Sequence, residues 1–303
     1  MDKRKIMTYV LWLYGLSFGI STLFFISGLG SNTILLFIFT TGYMFFPLIT
    51  VLIVQKLIYK ETIIRPLLLK GRPNKWWPFA MVIPLLFVGL TALVASLIPG
   101  ATLDLGMENY LSTLDATTAA VMDDLFQTLP FHPIWLLAGQ SLIGGITINA
   151  IFAFGEEIGW RGFLLREFQL LGFWKASLLI GLIWGVWHAP LILFAGHNYP
   201  STPIFGVVMM ATFCMLLSPI LSFITIKSRS IFPAAFFHGV INGSASLGIM
   251  IVAGGNPELL NGLTGLAGFI VLSAVNVIIF VRTRNTININ YKAVFAQSES
   301  HPK

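Results

Sequence analysis

Eight long apolar segments constrain the fold of this chain more than any other feature. They lie near residues 6–29, 33–55, 77–98, 134–155, 176–196, 203–226, 231–253 and 262–281. Each is about 20 residues long, enough for a helix to cross the roughly 30 Å hydrocarbon core of a bilayer. None shows the roughly ten-residue alternating pattern of a membrane β-barrel strand. The sequence therefore predicts an all-α, polytopic membrane helix bundle of about eight transmembrane helices.

The composition favours one integral membrane domain across residues 1–303. Hydrophobic residues make up 56% of the chain and charged residues only 10%, whereas soluble domains are less apolar and more charged. The single cysteine, Cys214, excludes a disulfide within one chain and a cysteine-based metal site. We expect a multi-pass protein of the cell membrane with the lipid bilayer as its partner. The compact chain without appended domains favours a bacterial plasma membrane.

The basic residues indicate how the helices are oriented. All 18 Lys and Arg lie in alternate segments: three before the first span, six between the second and third, three between the fourth and fifth, two between the sixth and seventh, and four after the eighth, including Lys303. Because cytoplasmic loops carry the excess of Lys and Arg, both termini are predicted to be cytoplasmic. The net charge of +6 thus reports topology, and we expect no nucleic-acid partner.

Glu156, Glu157 and Arg161 are unusual because they lie at the end of the fourth apolar segment. An ionisable group at membrane depth costs from about 2 to more than 10 kcal/mol, so such groups usually mark a functional site. Glu157 and Arg161 are four residues apart with the acid first, the favourable order for a helical ion pair. Glu156 points about 100° around the helix and has no equally good partner nearby in sequence. It is therefore the better candidate for a reactive carboxylate.

Two histidines lie within other apolar segments. His188 is in the fifth span and His238 is in the seventh. Asn242 follows His238 by one helical turn, so both side chains share a face. A carboxylate, two imidazoles and an amide on three separate spans predict one convergent site.

These residue types support hydrolysis by activated water. The chain has no convincing Ser or Cys nucleophile, because Ser244 and Ser246 lack a Gly-x-Ser-x-Gly context and Cys214 has no polar neighbour in sequence. Glu156 is suited to act as general base, helped by His188. His238 and Asn242 would then donate hydrogen bonds to the developing oxyanion.

A metal-dependent version would use the same groups. Glu156, His188 and His238 match the one-carboxylate, two-histidine set that holds a catalytic divalent metal such as zinc, with a position left for water. The usual His-Glu-x-x-His helix is absent, so the ligands would come from three helices. The sequence does not choose between the metal-dependent and the metal-free mechanism, and the cofactor stays unknown.

Two functions of other classes use the same residues. Glu156, His188 and His238 would form a proton relay in a proton-coupled membrane transporter. A catalytically silent immunity or scaffold protein would keep them without using them for catalysis.

At these residues the chain resembles the CPBP family of intramembrane proteases, which includes the type II CAAX prenyl endopeptidases. The family motifs are Glu-Glu-x-x-x-Arg, aromatic-x-x-x-His and His-x-x-x-Asn. Here they read Glu156-Glu157-x-x-x-Arg161, Trp184-x-x-x-His188 and His238-x-x-x-Asn242, in the same order and on separate spans. The motif-bearing protease core covers about residues 134–253, and Trp184 replaces the commoner Phe.

The resemblance implies an intramembrane endopeptidase acting on a peptide or protein substrate at the membrane, including lipidated or precursor peptides. It implies that Glu156 is the catalytic glutamate and that His188, His238 and Asn242 complete the site. Glu157 and Arg161 would then be supporting residues. The family has been described both as metalloproteases and as glutamate-dependent, metal-independent proteases.

The depth of the three motifs adds a structural expectation. Glu156 lies nearer the predicted cytoplasmic boundary than His188 or His238. We expect the fourth helix to continue past Gly155, because Glu157 and Arg161 need helical spacing to pair. The predicted site is then a water-accessible cavity that faces the cytoplasm.

Overall fold

The computed structural model describes residues 1–299. Lys303, which the charge pattern includes, lies outside the described residues. The helices are α1 Lys3–Ile26, α2 Thr33–Tyr43, α3 Phe46–Ile58, α4 Trp76–Ala95, α5 Glu108–Ser112, α6 Ala116–Thr128, α7 Pro133–Glu167, α8 Phe173–Ala195, α9 Pro203–Ser228, α10 Phe232–Met250, α11 Leu266–Thr283 and α12 Ile287–Glu299. Two short strands, β1 Ala101–Leu103 and β2 Val252–Gly254, form an antiparallel pair. The predicted all-α bundle is confirmed.

Six helical runs among the described residues are long and apolar enough to span a membrane: α1, α4, α7, α8, α9 and Pro257–Thr283, which contains α11. The pair α2 and α3, bent by 43°, makes a seventh if it crosses as one span. The seventh predicted span, residues 231–253, corresponds to α10, a 19-residue helix that contains His238 and Asn242 and is not among these candidates. A multi-pass helical membrane protein is therefore confirmed, while the count of eight stays a prediction.

The helix α7 confirms the expected extension beyond Gly155. It runs for 35 residues from Pro133 to Glu167 and contains two π-helical stretches, Gly145–Asn149 and Ile158–Leu164. The second stretch follows Glu157 directly and includes Arg161. A π-helical stretch widens the turn and is often found at functional sites. The glutamates therefore lie well inside a helix and not at its end.

Small residues let the site-bearing helices approach closely. Gly181 and Gly185 of α8 face the backbone of α9, where a β-carbon on Gly185 would collide with Ala211. Gly239 of α10 lies against the backbone of α7 at Gly145. Because a glycine contact brings two helix axes together, these contacts fix α8 against α9 and α10 against α7.

One end of the bundle, which we call the basic end, carries most of the charged side chains. Lys5 of α1 pairs with Glu61 and Glu167 over 2.6 and 2.9 Å. The Tyr291 hydroxyl of α12 donates to the Leu165 carbonyl nearby. The first and last helices therefore both contact this end, as termini on one side of the membrane require. Which side that is stays a prediction.

The opposite end, which we call the acidic end, consists of the segments 27–32, 96–132, 196–202 and 251–265. The strands β1 and β2 join two of these segments, with Ala101 opposite Gly254. The Tyr199 hydroxyl donates to the Thr264 carbonyl over 2.7 Å. These contacts tie the loops of the acidic end together over the helices below.

Candidate active site

Glu156 is a buried carboxylate in α7, with only 2% of its surface exposed. Its Oε2 accepts a hydrogen bond from the Trp160 indole Nε1 over 3.2 Å and a second from Trp184 Nε1 over 2.7 Å. Charge-assisted hydrogen bonds of this kind stabilise a buried carboxylate and fix its orientation. Trp160, one helical turn from Glu156, is a neutral donor, so Glu156 has no counter-ion of the kind that Arg161 provides for Glu157.

Glu157 joins two other residues of the predicted site. Its Oε1 lies 3.1 Å from Arg161 Nη1 and 2.9 Å from His238 Nδ1. The predicted Glu157–Arg161 ion pair is confirmed, and both side chains are completely buried. Because Glu157 contacts His238 as well, it orients a histidine of another helix in addition to pairing with Arg161.

The contacts of the two histidines define which ring nitrogen is free. His188 Nδ1 lies 3.0 Å from the Trp184 carbonyl, and His238 Nδ1 lies against the Glu157 carboxylate. Both partners accept hydrogen bonds, so each Nδ1 carries a proton. The Nε2 atoms are therefore the ring nitrogens left for a substrate or a water.

Trp184 is the contact point of the whole site. Besides its bond to Glu156, its ring centroid lies 5.1 Å from that of His238 and 6.0 Å from that of His188. The Arg161 guanidinium stacks over the same ring at 4.8 Å, a cation–π contact. The aromatic of the second motif thus holds residues from α7, α8 and α10 together.

A cavity of about 590 Å³ brings the predicted catalytic residues together. Glu156, His188, His238 and Asn242 all line it, whereas Glu157 and Arg161 lie behind its wall. His238 is nearly buried, and Asn242 is open to the cavity. The structure therefore separates four residues that line the cavity from two that lie behind them.

His197 is a cavity residue that the sequence reasoning missed. Its ring stacks parallel to that of His188, with centroids 6.3 Å apart and planes at 5°. Desolvation by the surrounding protein lowers the pKa of His197 from its ordinary value of 6.5, although part of the residue is exposed. No motif spacing marks it, because it lies in the loop after α8.

The described residues contain no group of three or more His, Cys, Asp or Glu side chains arranged to hold a metal ion. Glu156, His188 and His238, the predicted metal set, line one cavity but do not form such a group. This arrangement does not fit a three-ligand metal site, and we derive no step through a metal.

Comparisons with known proteins show which family part of this chain resembles. Residues 130–244 match a protein family described as type II CAAX prenyl endopeptidase Rce1-like. This segment contains all three motifs, and the predicted similarity to the CPBP and CAAX protease family is confirmed.

One curated relative is the CAAX prenyl protease 2 of Methanococcus maripaludis. It is 36% identical over 94 residues, which cover 29% of this chain and 34% of the relative. The chain thus matches about a third of the relative's length.

Proposed function

We propose that this protein is an intramembrane endopeptidase that hydrolyses peptide bonds with water activated at Glu156. The observation that carries the proposal is the cavity whose lining contains Glu156, His188, His238 and Asn242. The motif match to the CAAX protease family supports the same reaction class.

In the proposed mechanism Glu156 is the general base. Both indole N–H groups bind Oε2, which leaves Oε1 to accept a proton from a water in the cavity. The water attacks the scissile carbonyl as its proton moves to Glu156. The same carboxyl then gives that proton to the leaving amine, so one group serves as base and then as acid.

His238 and Asn242 are placed to stabilise the oxyanion. The Glu157 carboxylate at Nδ1 of His238 stabilises positive charge on the ring, as an aspartate does for the histidine of a serine protease. In this scheme the His238 ring carries a proton on Nε2 as well as on Nδ1. Nε2–H of His238 and the Asn242 amide are then the donors to the oxyanion. Preorganised donors of this kind typically contribute about 3–4 kcal/mol each.

His188 has a distinct role in this scheme. Its Nδ1–H is held by the Trp184 carbonyl, so Nε2 presents a lone pair toward the cavity. A neutral imidazole in this position orients the attacking water for Glu156. His188 thus assists the base and does not replace it.

The substrate proposed is a peptide or protein held at the membrane. Phe37 of α2 and Ile148 of α7 line the cavity and are large apolar side chains that are 69% and 63% exposed. The cavity wall therefore borders the surface that faces lipid. The prenyl protease similarity makes lipidated peptides one class to test.

Glu156→Gln tests this proposal because it keeps the shape of the side chain and removes the base. Peptide termini are compared in membranes of cells that carry the wild type, Glu156→Gln or Glu108→Gln. Glu108 is exposed at the acidic end, so the same chemical change there is the matched control. We expect termini found with wild type and Glu108→Gln to be lost with Glu156→Gln. Unchanged cleavage in Glu156→Gln would disprove the role of the glutamate.

A further inference from the structure

The two ends of the bundle differ in charge. The segments of the acidic end contain no Lys or Arg, and they carry six acids: Asp104, Glu108, Asp115, Asp123, Asp124 and Glu258. The Lys and Arg of the loops lie at the basic end. Because Lys and Arg mark cytoplasmic loops, the basic end is the cytoplasmic one.

The cavity reaches the surface at the acidic end. His197, Asn198 and Pro257 line it and are exposed there. The rim of this opening consists of two loops, residues 196–202 and 251–265, which are hydrogen-bonded to each other. Glu258 accepts hydrogen bonds from the Ser201 amide, over 3.2 Å to each carboxylate oxygen. The Thr202 hydroxyl adds a third bond to Glu258 at 3.4 Å.

Toward the basic end the cavity is closed. Every residue of the stretch Ile158–Leu164, which follows the glutamates, is buried. Trp160 and Phe163 have no exposed surface, and Tyr9 of α1 stacks on Phe163 with ring centroids 4.4 Å apart. This packed layer separates Glu156, at the inner end of the cavity, from the basic end of the bundle.

We infer that the cavity receives its peptide from the non-cytoplasmic side of the membrane. This inference rests on the proposed endopeptidase function. The sequence predicts a cavity that faces the cytoplasm, but the cavity is lined by residues of the acidic end, at 197–198 and within 257–264. With the basic end in the cytoplasm, the inferred entry side replaces that expectation. The substrate class is then a peptide segment already translocated to the outer half of the bilayer. A translocation step must supply it.

The charge of the rim adds a preference within this class. Glu258 is the charged side chain among the residues that line the outer cavity. Its carboxylate favours neutral or basic residues near the scissile bond and disfavours acidic ones, because like charges repel in a confined site.

Single cysteines test the orientation without requiring activity. Ser201→Cys lies at the rim, and Leu170→Cys lies at the basic end, where Leu170 is 66% exposed. Neither change alters a charge. Intact cells are treated with a membrane-impermeant maleimide, and the parent chain with its buried Cys214 gives the background. We expect Ser201→Cys to be labelled in intact cells and Leu170→Cys only after permeabilisation. The reverse pattern would overturn the inference.

A bulky label then tests the entry route. A maleimide joined to polyethylene glycol is attached from outside to Ser201→Cys or to Thr117→Cys, which lies in the exposed helix α6 at the same end. We expect the peptide termini to be lost with labelled Ser201→Cys and to persist with labelled Thr117→Cys. Continued cleavage with Ser201→Cys fully labelled would contradict entry through this rim. Absence of termini in every unlabelled variant would instead refute the proposed function, while the labelling pattern would still report the orientation.

Discussion

Trp184 Nε1 donates a hydrogen bond to Glu156 Oε2 over 2.7 Å, which joins the second motif of the site to the first. The indole that makes this bond also supports Arg161 on its face and contacts His238 at its edge. A single side chain therefore connects the proposed base, the ion pair behind it and a proposed oxyanion donor.

Trp184→Phe isolates the hydrogen bond from the packing. Phenylalanine keeps a ring under the Arg161 guanidinium but has no N–H for Glu156, while Trp160 keeps the second donor. A hydrogen bond to a charged group contributes about 1.5–3 kcal/mol, so we expect a cleavage rate lower by about 10- to 100-fold. Trp135→Phe, at a side chain 70% exposed on the bundle surface, is the matched control. A rate unchanged by Trp184→Phe would show that the bond is dispensable.

Glu157 and Arg161 give a second prediction because neither side chain is exposed to solvent. Removing one member of a buried pair leaves an uncompensated charge, so Arg161→Met should lower the free energy of unfolding by about 3–5 kcal/mol. Among the described residues, Arg161 Nε and Nη2 and Glu157 Oε2 lack hydrogen-bond partners. The pair is therefore incompletely satisfied, and the double change Glu157→Met with Arg161→Met should recover much of the stability.

Measuring peptide cleavage in the same variants separates two roles of Glu157, which are pairing with Arg161 and positioning His238. The double variant regains stability but leaves His238 without its carboxylate partner, so we expect it to stay inactive. Denaturant unfolding in detergent measures the stability, and the appearance of peptide termini measures the activity. Full activity in a stable double variant would contradict a positioning role for Glu157.

The sequence predicted the helical class and the residues that line the site because both depend on short-range patterns. Long apolar runs predict membrane helices, and the i, i+4 spacing predicts the Glu157–Arg161 pair, which the structure contains. The Glu157–His238 contact depends on how α10 packs against α7, and no spacing within one helix encodes it. The same limit explains why His197 was missed.

Local sequence patterns also could not predict at which end of the bundle the cavity opens. Counted in residues from the charged loop segments, Glu156 lies close to the basic end. In the structure, however, α7 continues to Glu167 and the stretch Ile158–Leu164 is buried. A residue near a loop in sequence can thus lie under a packed layer. Tertiary packing, and not distance from the last charged residue, decides from which end water and substrate reach it.

Gly185 gives a third prediction, on the contact between α8 and α9. A β-carbon there would collide with the Ala211 backbone, so Gly185→Ala should push α8 away from α9. Overpacking of this kind costs about 1–3 kcal/mol. It would also displace Trp184, the preceding residue, and His188, which lies three residues later, so cleavage should fall with stability. Gly139→Ala, a helical position with open space around it, is the control and should lower neither quantity.

The ion-pair cluster at the basic end predicts a pH-dependent stability. Partial burial raises the pKa of Glu61, but Lys5 at 2.6 Å and Arg166 at 3.2 Å outweigh it, so the pKa lies below its ordinary value of 4.5. A carboxylate with a lowered folded-state pKa stabilises the fold above the unfolded-state value, and this contribution is lost as the pH falls through the folded-state value. The stabilisation by Glu61 should therefore be fully present above pH 4.5 and be lost progressively below it, as the pH falls through the lower folded-state value.

Glu61→Gln measures this contribution directly. We expect the wild type to have the higher melting temperature in detergent at neutral pH, and the difference should shrink as the pH is lowered below 4.5. Glu108→Gln makes the same chemical change at the other end of the bundle and should show no such convergence. High salt should reduce the Glu61 difference only in part, because Lys5 is just 3% exposed and a buried charge is poorly screened. A wild-type advantage that persists unchanged through acid pH would show that the ionised carboxylate of Glu61 is not its source.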